Sequence, residues 1–203
     1  MEYLCYNLNE ISCTEDDTLL LSAEERKVYR TRGTDYLKTR ALLKKEIARR
    51  TATEPRMIRF SYSEHGKPLF PGIHFNISHS GHLLCMAFHD APIGVDIQQS
   101  RRLPRMESLA SRIMCDEQAK RFRELGCPPD VFFDCWAIAE ALVKWAGSTI
   151  WQARDFPFIL HENHVEVLMQ NGPQITRFRP SDGFFGAVAY KISACTSNDY
   201  AVQ

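Results

Sequence analysis

Residues 74–97 read HFNISHSGHLLCMAFHDAPIGVDI, and this stretch decides the fold class. Short apolar runs that are separated by polar or glycine-containing turns are typical of β-strands. The pattern predicts three strands, over residues 74–77, 83–88 and 93–97, with a hairpin turn at 89–92 between the last two. This part of the chain is therefore predicted to form antiparallel strands.

The last of these strands carries polar side chains on one face. Because successive side chains of a strand alternate, the apolar residues at positions 93, 95 and 97 share one face. Asp96 and Gln98 share the opposite face. Two oxygen-bearing side chains therefore point the same way.

A basic segment at residues 22–59 is predicted to contain a helix over 34–50. Most of its lysines and arginines fit a solvated helix face. Arg40 differs, because at 100° per residue it falls in the apolar stripe of Leu43 and Ile47. A guanidinium in that position can snorkel to water, pair with an internal carboxylate or bind the phosphate of a ligand.

A polar loop at residues 99–107 is predicted to divide the chain into two halves, 1–100 and 101–203. Both halves are predicted to combine helices with antiparallel strands, so the predicted fold class is α+β. No residue-level repeat is strong enough to establish that one half duplicates the other. The strands of the second half are predicted over residues 156–160, 164–168, 174–178 and 184–192.

Two helices are predicted in the second half, over residues 108–125 and 130–146, and Gly147 caps the end of the second. The second helix is almost wholly apolar, so it must be buried. Glu140 and Lys144 are two of its few charges, and they lie four residues apart on one face. A buried carboxylate and ammonium at this spacing must pair with each other or hold something else.

Composition and charge limit the class of protein. The chain has 203 residues, of which 44% are hydrophobic and 25% charged, as in an ordinary globular domain. Its 25 basic and 25 acidic residues balance to +0, so no nucleic-acid partner is expected. No apolar run reaches the roughly 18 to 20 residues of a membrane span, and the first residues do not form a signal peptide. Seven cysteines without a CxxC pair fit reduced thiols, and a cytoplasmic protein is predicted.

Asp96 and Glu140 are carboxylates on separate elements, each in an apolar setting. Magnesium is usually held by one or two carboxylates together with substrate phosphates and water. The pair therefore predicts a site for a metal-bridged pyrophosphate. The candidate phosphate contacts are Arg40, Lys67, His79 and Lys144.

Four blocks of this sequence resemble the ordered motifs of the Sfp-type 4'-phosphopantetheinyl transferases. They are GKPLF at 66–70, FNISHSG at 75–81, GVDI at 94–97 and WAIAEALVKWAG at 136–147. The blocks follow the family order and cover roughly residues 25–150, and together they are far more specific than any one block alone. The chain length matches the monomeric form of the family, in which one chain folds as a pseudo-dimer of two similar α+β halves.

The resemblance implies a reaction. Coenzyme A would donate its 4'-phosphopantetheine arm to a serine of an acyl or peptidyl carrier protein and leave adenosine 3',5'-bisphosphate. Magnesium would be required. The sequence does not distinguish carriers of fatty-acid, polyketide or peptide synthesis.

The resemblance also implies the roles of individual residues. Asp96 and Glu140 would hold magnesium, and Glu140, directly or through a bound water, is the candidate base for the serine hydroxyl. Lys144 would contact the pyrophosphate, whose charge must be neutralised before attack. The residues implied to contact coenzyme A are Arg40, Lys67, Ser78, His79 and Lys144.

Two positions depart from the family pattern. Gln98 stands where the family usually has an acid, and Ala139 stands where it usually has a lysine. Gln98 can offer a neutral amide oxygen as a third metal ligand or order a water, and weaker metal binding is the expected cost. Ala139 lies about 100° from Glu140 on the helix, so it is expected to face the packing.

Two other classes of function compete with this one. In the first, the two departures have silenced the chemistry and left a non-catalytic module that binds coenzyme A or a carrier protein. In the second, two HxxH pairs form the site of a metallohydrolase, although both pairs fall in loop or strand segments. Those histidines are His79, His82, His161 and His164.

Overall fold

Two three-stranded sheets, each covered by one long helix, organise the part of the chain that the structure describes. This computed structural model describes residues 1–156, 158–168 and 172–191. The strands are β1 Glu2–Asn7, β2 Ser61–Tyr62, β3 Pro68–Leu69, β4 His74–Ser80, β5 Leu83–His89, β6 Ile93–Gln99, β7 Phe158–Leu160, β8 Val165–Val167, β9 Gln174–Phe178 and β10 Phe184–Tyr190. The helices are α1 Glu15–Leu19, α2 Ala23–Arg32, α3 Thr34–Thr51, α4 Met106–Ile113, α5 Asp116–Glu124 and α6 Pro129–Ala146. The predicted α+β class is confirmed.

The two main sheets have the same connectivity. The first has the strand order β1-β5-β4 and the second the order β6-β10-β9, and all neighbouring strands are antiparallel. In each sheet the first strand leads into helices, and a hairpin follows whose second strand returns to the centre of the sheet. Strands β2 and β3, and strands β7 and β8, form two small additional sheets.

The apolar cores show how these elements are layered. Helix α3 packs on one face of the first sheet through Leu43 and Ile47. The other face of that sheet packs against the second sheet, where Ala87 and Val95 belong to one buried cluster. Helix α6 and the smaller helices α4 and α5 cover the far face of the second sheet. The two sheets therefore lie between the two long helices.

Helices α3 and α6 confirm the two long helices that periodicity predicted. Helix α6 ends at Ala146 and is capped by Gly147, whose φ of 65° is left-handed and whose N–H donates to the carbonyl of Val143. Among the described residues, no helix combines the length and the apolar content that a membrane crossing needs.

The predicted hairpin between the strands at 83–88 and 93–97 is wrong. Strand β5 pairs with β1 on one side and with β4 on the other, so both of its edges are occupied. Strand β6 pairs with β10 instead, although it lies in the half of the chain predicted to end at residue 100. Strand β1 supplies the pairing that the sequence pattern did not reveal.

The single helix predicted over residues 108–125 is also wrong, because the chain forms two helices there. The backbone of Cys115 is extended, with φ −67° and ψ 171°, and it separates α4 from α5. Its N–H donates to the side-chain oxygen of Gln118 at 2.9 Å, which caps the second helix. A local capping bond therefore interrupts an apolar pattern that continues through both helices.

Side chains of β4 join the first sheet to the edge of the second. Asn76 accepts a hydrogen bond from the N–H of Val95 at 2.9 Å. Ser78 and Ser80 accept from the next two N–H groups on that edge of β6, at 3.3 Å and 3.0 Å. These three bonds, here named the β4–β6 ladder, satisfy edge donors that would otherwise be buried without a partner.

Replacing Asn76 by alanine tests the β4–β6 ladder. Asn76→Ala leaves the buried N–H of Val95 without an acceptor, and we expect a loss of about 1–3 kcal/mol in the free energy of unfolding. Urea denaturation measures it. Ser80→Ala is the matched control at the half-buried end of the ladder, where water can replace the hydroxyl, and its loss should be smaller. Equal losses in the two variants would contradict this account.

Candidate active site

Asp96 is the centre of a buried polar cluster between the two sheets and helix α6. It lies in β6 with only 2% of its surface exposed. Ser78 donates its hydroxyl to Oδ1 of Asp96 at 2.7 Å, and Gln98 donates its amide Nε2 to Oδ2 at 2.7 Å. The strand alternation thus brings Asp96 and Gln98 together, as the sequence predicted, and β4 contributes the third member.

Lys144 reaches the same carboxylate from helix α6. Its ammonium donates to Oδ1 of Asp96 at 2.6 Å and to the carbonyl of Val95 at 3.2 Å. Of the two alternatives that the Glu140 and Lys144 spacing left open, the structure shows the second, because the ammonium bonds to Asp96. The buried negative charge of Asp96 is thereby compensated.

Glu140 lies one turn before Lys144 and is half-buried. Its carboxylate accepts no hydrogen bond from the described residues. Burial raises the pKa of Glu140 above that of an ordinary glutamate, and the negative charge of Asp96 raises it further, while Lys144 opposes the shift. Glu140 is therefore close enough to Asp96 for the negative charge of Asp96 to disfavour the ionised form of Glu140.

Lys67 closes the cluster at the end of helix α6. Its ammonium donates to the carbonyls of Ile93 and Lys144, at 2.9 Å and 3.1 Å. Burial lowers the pKa of Lys67 to about 8, and the neighbouring charge of Lys144 adds to this effect. Lys67 therefore ties the last turn of α6 to the start of β6.

Gly94 explains how α6 comes so close to β6. A Cβ atom at this position would overlap the carbonyl oxygen of Ala141 and the amide nitrogen of Trp145 in the helix backbone. Only a glycine allows this approach. The close packing places Glu140 and Lys144 within reach of Asp96.

Arg40 lies outside the Asp96 cluster, on helix α3. Its Nε and Nη1 atoms are buried and have no hydrogen-bond partner among the described residues. Its guanidinium lies 5.2 Å from the ring centre of Tyr36 and 5.4 Å from that of Phe60. The predicted cation in an apolar stripe is present, and its donors are available to an anion.

His79 also lies apart from Asp96. It neighbours Ser78 in β4, so its side chain points to the opposite face of the strand, and it is exposed. The FNISHSG block therefore has side chains with separate contacts on the two faces of β4. Ser78 faces Asp96, whereas His79 shares its face with Phe75 and Ile77, which pack toward α3.

The histidine pairs do not form a metal site. His82 packs its ring against Phe184, and the rings of His161 and His164 stack with centres 4.2 Å apart. Within residues 1–156, 158–168 and 172–191, no three His, Cys, Asp or Glu side chains are arranged to hold a metal ion. The metallohydrolase hypothesis therefore has no support in the described part of the chain.

The site offers oxygen ligands for one magnesium ion, provided that a substrate supplies phosphate oxygens as further ligands. The negative charge of Asp96 disfavours the ionised form of Glu140, and a cation bound by both carboxylates would relieve that repulsion. Gln98 uses its amide nitrogen on Asp96, which leaves its oxygen free for a ligand. Two carboxylates with substrate phosphates and water are the usual surroundings of magnesium, so these residues fit the ion.

The sequence did not single out all the residues that build this site. Asn76 and Ser80 are structural residues that accept hydrogen bonds from β6. Together with Ser78 they put a polar side chain at every second position of the strand, and this alternation could have indicated a polar face. The role of Gly94 becomes visible only when the position of α6 against β6 is known. Ala139 is fully buried in the core of the second half, so the expectation that it faces the packing is confirmed.

Comparison with known proteins identifies the family. The model of the 4'-phosphopantetheinyl transferase superfamily matches residues 92–202, which is more than half of the chain. The chain belongs to this superfamily. A 4'-phosphopantetheinyl transferase of Bacillus subtilis named ffp is 32% identical over 96% of this chain and 91% of its own length. The transferase Sfp of Bacillus subtilis strain 168 is 31% identical over 77% of this chain and 71% of its own length. The family resemblance is thus confirmed along most of the sequence.

Gly94→Ala tests the packing that forms the site of this phosphopantetheinyl transferase. The added methyl group meets helix backbone that cannot rotate away, so we expect a loss of about 2–3 kcal/mol in the free energy of unfolding. Urea denaturation measures it. Gly186→Ala is the matched control in β10, since the three atoms nearest to its methyl group belong to the ring of Phe178, a side chain that can move more easily than helix backbone. A larger loss for Gly186→Ala would contradict the proposed contact with α6.

Proposed function

We propose that this chain transfers the 4'-phosphopantetheine arm of coenzyme A to a serine of an acyl or peptidyl carrier protein, in a magnesium-dependent reaction at the Asp96 cluster. The serine oxygen forms a bond to the phosphorus of the arm, and the bond from that phosphorus to adenosine 3',5'-bisphosphate breaks. The observation that carries the proposal is the buried group of Asp96, Ser78 and Lys144 beside Glu140, whose carboxylate accepts no hydrogen bond from the part of the chain that the structure describes. Membership of the superfamily supports the same reaction.

Lys144 is proposed to hold the pyrophosphate. An ammonium group has three N–H donors, and Asp96 and Val95 use two of them. The third is available to a phosphate oxygen, and the side chain is 27% exposed. A fixed positive charge at this point stabilises the charge that builds up as the bisphosphate leaves.

Glu140 is proposed to accept the proton of the serine hydroxyl. A base needs a free carboxylate, and no described residue donates a hydrogen bond to Glu140. The proton would pass from the attacking oxygen to the Glu140 carboxylate oxygen that the ion does not use, directly or through a bound water.

Asp96, Glu140 and the amide oxygen of Gln98 are proposed to hold magnesium together with the substrate. The ion would neutralise the pyrophosphate and polarise its oxygens. Ser78 and Lys144 fix the carboxylate of Asp96 in one orientation. Because Gln98 is neutral where the family usually has an acid, the site carries one negative charge fewer, which weakens its hold on the ion.

Arg40, Lys67, Ser78 and His79 are proposed to contact coenzyme A. Arg40 offers two buried donors that have no partner among the described residues, which supports a phosphate contact. Lys67 uses two of its three donors on carbonyls, so one is available to the ligand. His79 is exposed on the α3 side of β4.

The proposal extends to the setting of the protein. The matching connectivity of the two main sheets supports a pseudo-dimer of two halves within one chain. Asp96 on β6 and Glu140 on α6 then complete the site without a second copy, so a monomer is proposed. The odd number of cysteines, none of them in a CxxC pair, supports a reducing compartment, and we propose the cytoplasm.

Mass spectrometry of purified carriers tests the proposed transfer. Apo-carriers of fatty-acid, polyketide and peptide synthesis are incubated with the protein, coenzyme A and magnesium, and we expect a mass gain equal to the arm on at least one. A chelator of divalent cations should abolish the gain.

Glu140→Gln is the matched variant for this experiment. It keeps the size of the side chain and removes the base, so the gain should disappear while coenzyme A still binds. If the wild-type protein binds coenzyme A but modifies no carrier, the reaction is refuted and the non-catalytic binding module takes its place.

Arg40→Ala should weaken coenzyme A binding selectively. A charge-assisted contact to phosphate contributes about 1.5–3 kcal/mol, so we expect the dissociation constant to rise about tenfold or more. Calorimetry with coenzyme A and with dephospho-coenzyme A measures this, and only coenzyme A should be affected if Arg40 binds the 3'-phosphate. Arg112→Ala, an exposed arginine in the other half, is the control. Equal losses for the two ligands would refute the 3'-phosphate role.

A further inference from the structure

Two cysteines lie side by side on neighbouring strands of the first sheet. Cys5 of β1 and Cys85 of β5 are directly opposed residues of an antiparallel pair, and their Sγ atoms are 2.8 Å apart. Directly opposed residues have Cα separations of about 4.5 or 5.5 Å, and disulfides usually span about 4.4–6.8 Å. A disulfide between these residues therefore needs no change in strand register.

The two thiols differ in their surroundings. Cys5 is exposed on an edge strand, whereas Cys85 is fully buried between the sheets. The contact with Cys85 lowers the pKa of the Cys5 thiol, against the effect of burial, and the thiolate is the reactive form. No other pair of cysteines in the described ranges has its sulfur atoms in contact.

The cysteine pair lies in one cross-strand row with the Asp96 cluster. Cys85 is opposed by Cys5 on one side and by Ser78 of β4 on the other. Ser78 in turn donates its hydroxyl to Asp96 at 2.7 Å. Only one residue therefore separates the buried thiol from the carboxylate proposed to bind the metal.

We propose that Cys5 and Cys85 are a reversible dithiol–disulfide pair, and that closing the disulfide lowers transferase activity through Ser78 and Asp96. The second part rests on the proposed function. Bond formation draws Cys85 toward β1 and shifts the strand that opposes Ser78. Catalytic side chains must be held to within about 0.5 Å of their working geometry, so a small shift in this row is sufficient.

The oxidant is a small disulfide such as oxidised glutathione. The Cys5 thiolate attacks one sulfur of the oxidant, forms a mixed disulfide and releases one glutathione thiolate. Cys85 then attacks the sulfur of Cys5 and releases the second glutathione. The two protein thiols lose two electrons to the oxidant and two protons, and a thiol reductant reverses the reaction.

Peptide mapping and activity assays on the same samples test this proposal. The protein is treated with oxidised glutathione, digested without reduction and analysed by mass spectrometry, and we expect a peptide of Cys5 joined to a peptide of Cys85. The oxidised protein should transfer the arm with a kcat/KM about threefold to tenfold lower, since a misplacement of about 1 Å can cost about 100-fold and the expected shift is smaller. Dithiothreitol should restore the activity.

Cys5→Ser removes the exposed thiol and should be active but insensitive to the oxidant. Cys5→Ala serves if the serine variant folds poorly, and Cys13→Ser, a half-buried cysteine without a sulfur contact, should behave as the wild type. Absence of the joined peptide refutes the pair, and a joined peptide with unchanged activity refutes the link to Asp96. If the reduced wild-type protein modifies no carrier, the proposed function fails instead, and the joined peptide still decides whether the pair exists.

Discussion

Hydrogen bonds from the N–H groups of β6 to three side chains of β4 are the constraint on which the candidate active site depends. Strand β6 is an edge of its sheet, and without these acceptors its N–H groups would be buried unpaired beside the first sheet. The ladder solves this problem and fixes the two sheets in register. Ser78 has a double role, because its oxygen accepts from the β6 backbone while its hydroxyl donates to Asp96. The contact that joins the sheets is therefore also the contact that orients the central carboxylate.

Helix α6 supplies the other side of the site, and it does so because β6 has a glycine where the helix crosses. Gly94 lets the backbone of α6 approach closely. As a result Lys144 donates a hydrogen bond to Asp96, and Glu140 lies near enough for the charge of Asp96 to raise its pKa. The resulting cluster has two carboxylates, one of them without a hydrogen-bond donor in the described part of the chain, beside an ammonium with one free donor. Such an arrangement is suited to a substrate that brings both negative charge and a cation.

Local sequence patterns predicted those elements whose signal lies within one segment. The long helices α3 and α6 followed from periodicity and from a glycine cap, and the shared face of Asp96 and Gln98 followed from strand alternation. The hairpin after β5 and the unbroken helix at 108–125 were wrong for physical reasons. The predicted hairpin failed because β1, about 80 residues away in the chain, occupies the edge of β5. The unbroken helix failed because a capping bond at Cys115 starts a second helix. A hydrophobic pattern indicates helices and strands, but it indicates neither which strands pair nor where a capping bond ends a helix.

The sequence by itself determined the α+β class, the family and the chemical types of the site, because motifs and alternation are properties of neighbouring residues. It also predicted that Arg40 is a cation in an apolar stripe, and the contacts of its guanidinium with the rings of Tyr36 and Phe60 confirm this setting. Only the tertiary structure decided that Lys144 pairs with Asp96 and not with Glu140, that Lys67 ties α6 to β6, and that Ser78 and His79 serve opposite faces. These contacts join residues that are far apart in the chain, and their partners are chosen by the packing of α6 and of the two sheets, which no single segment encodes.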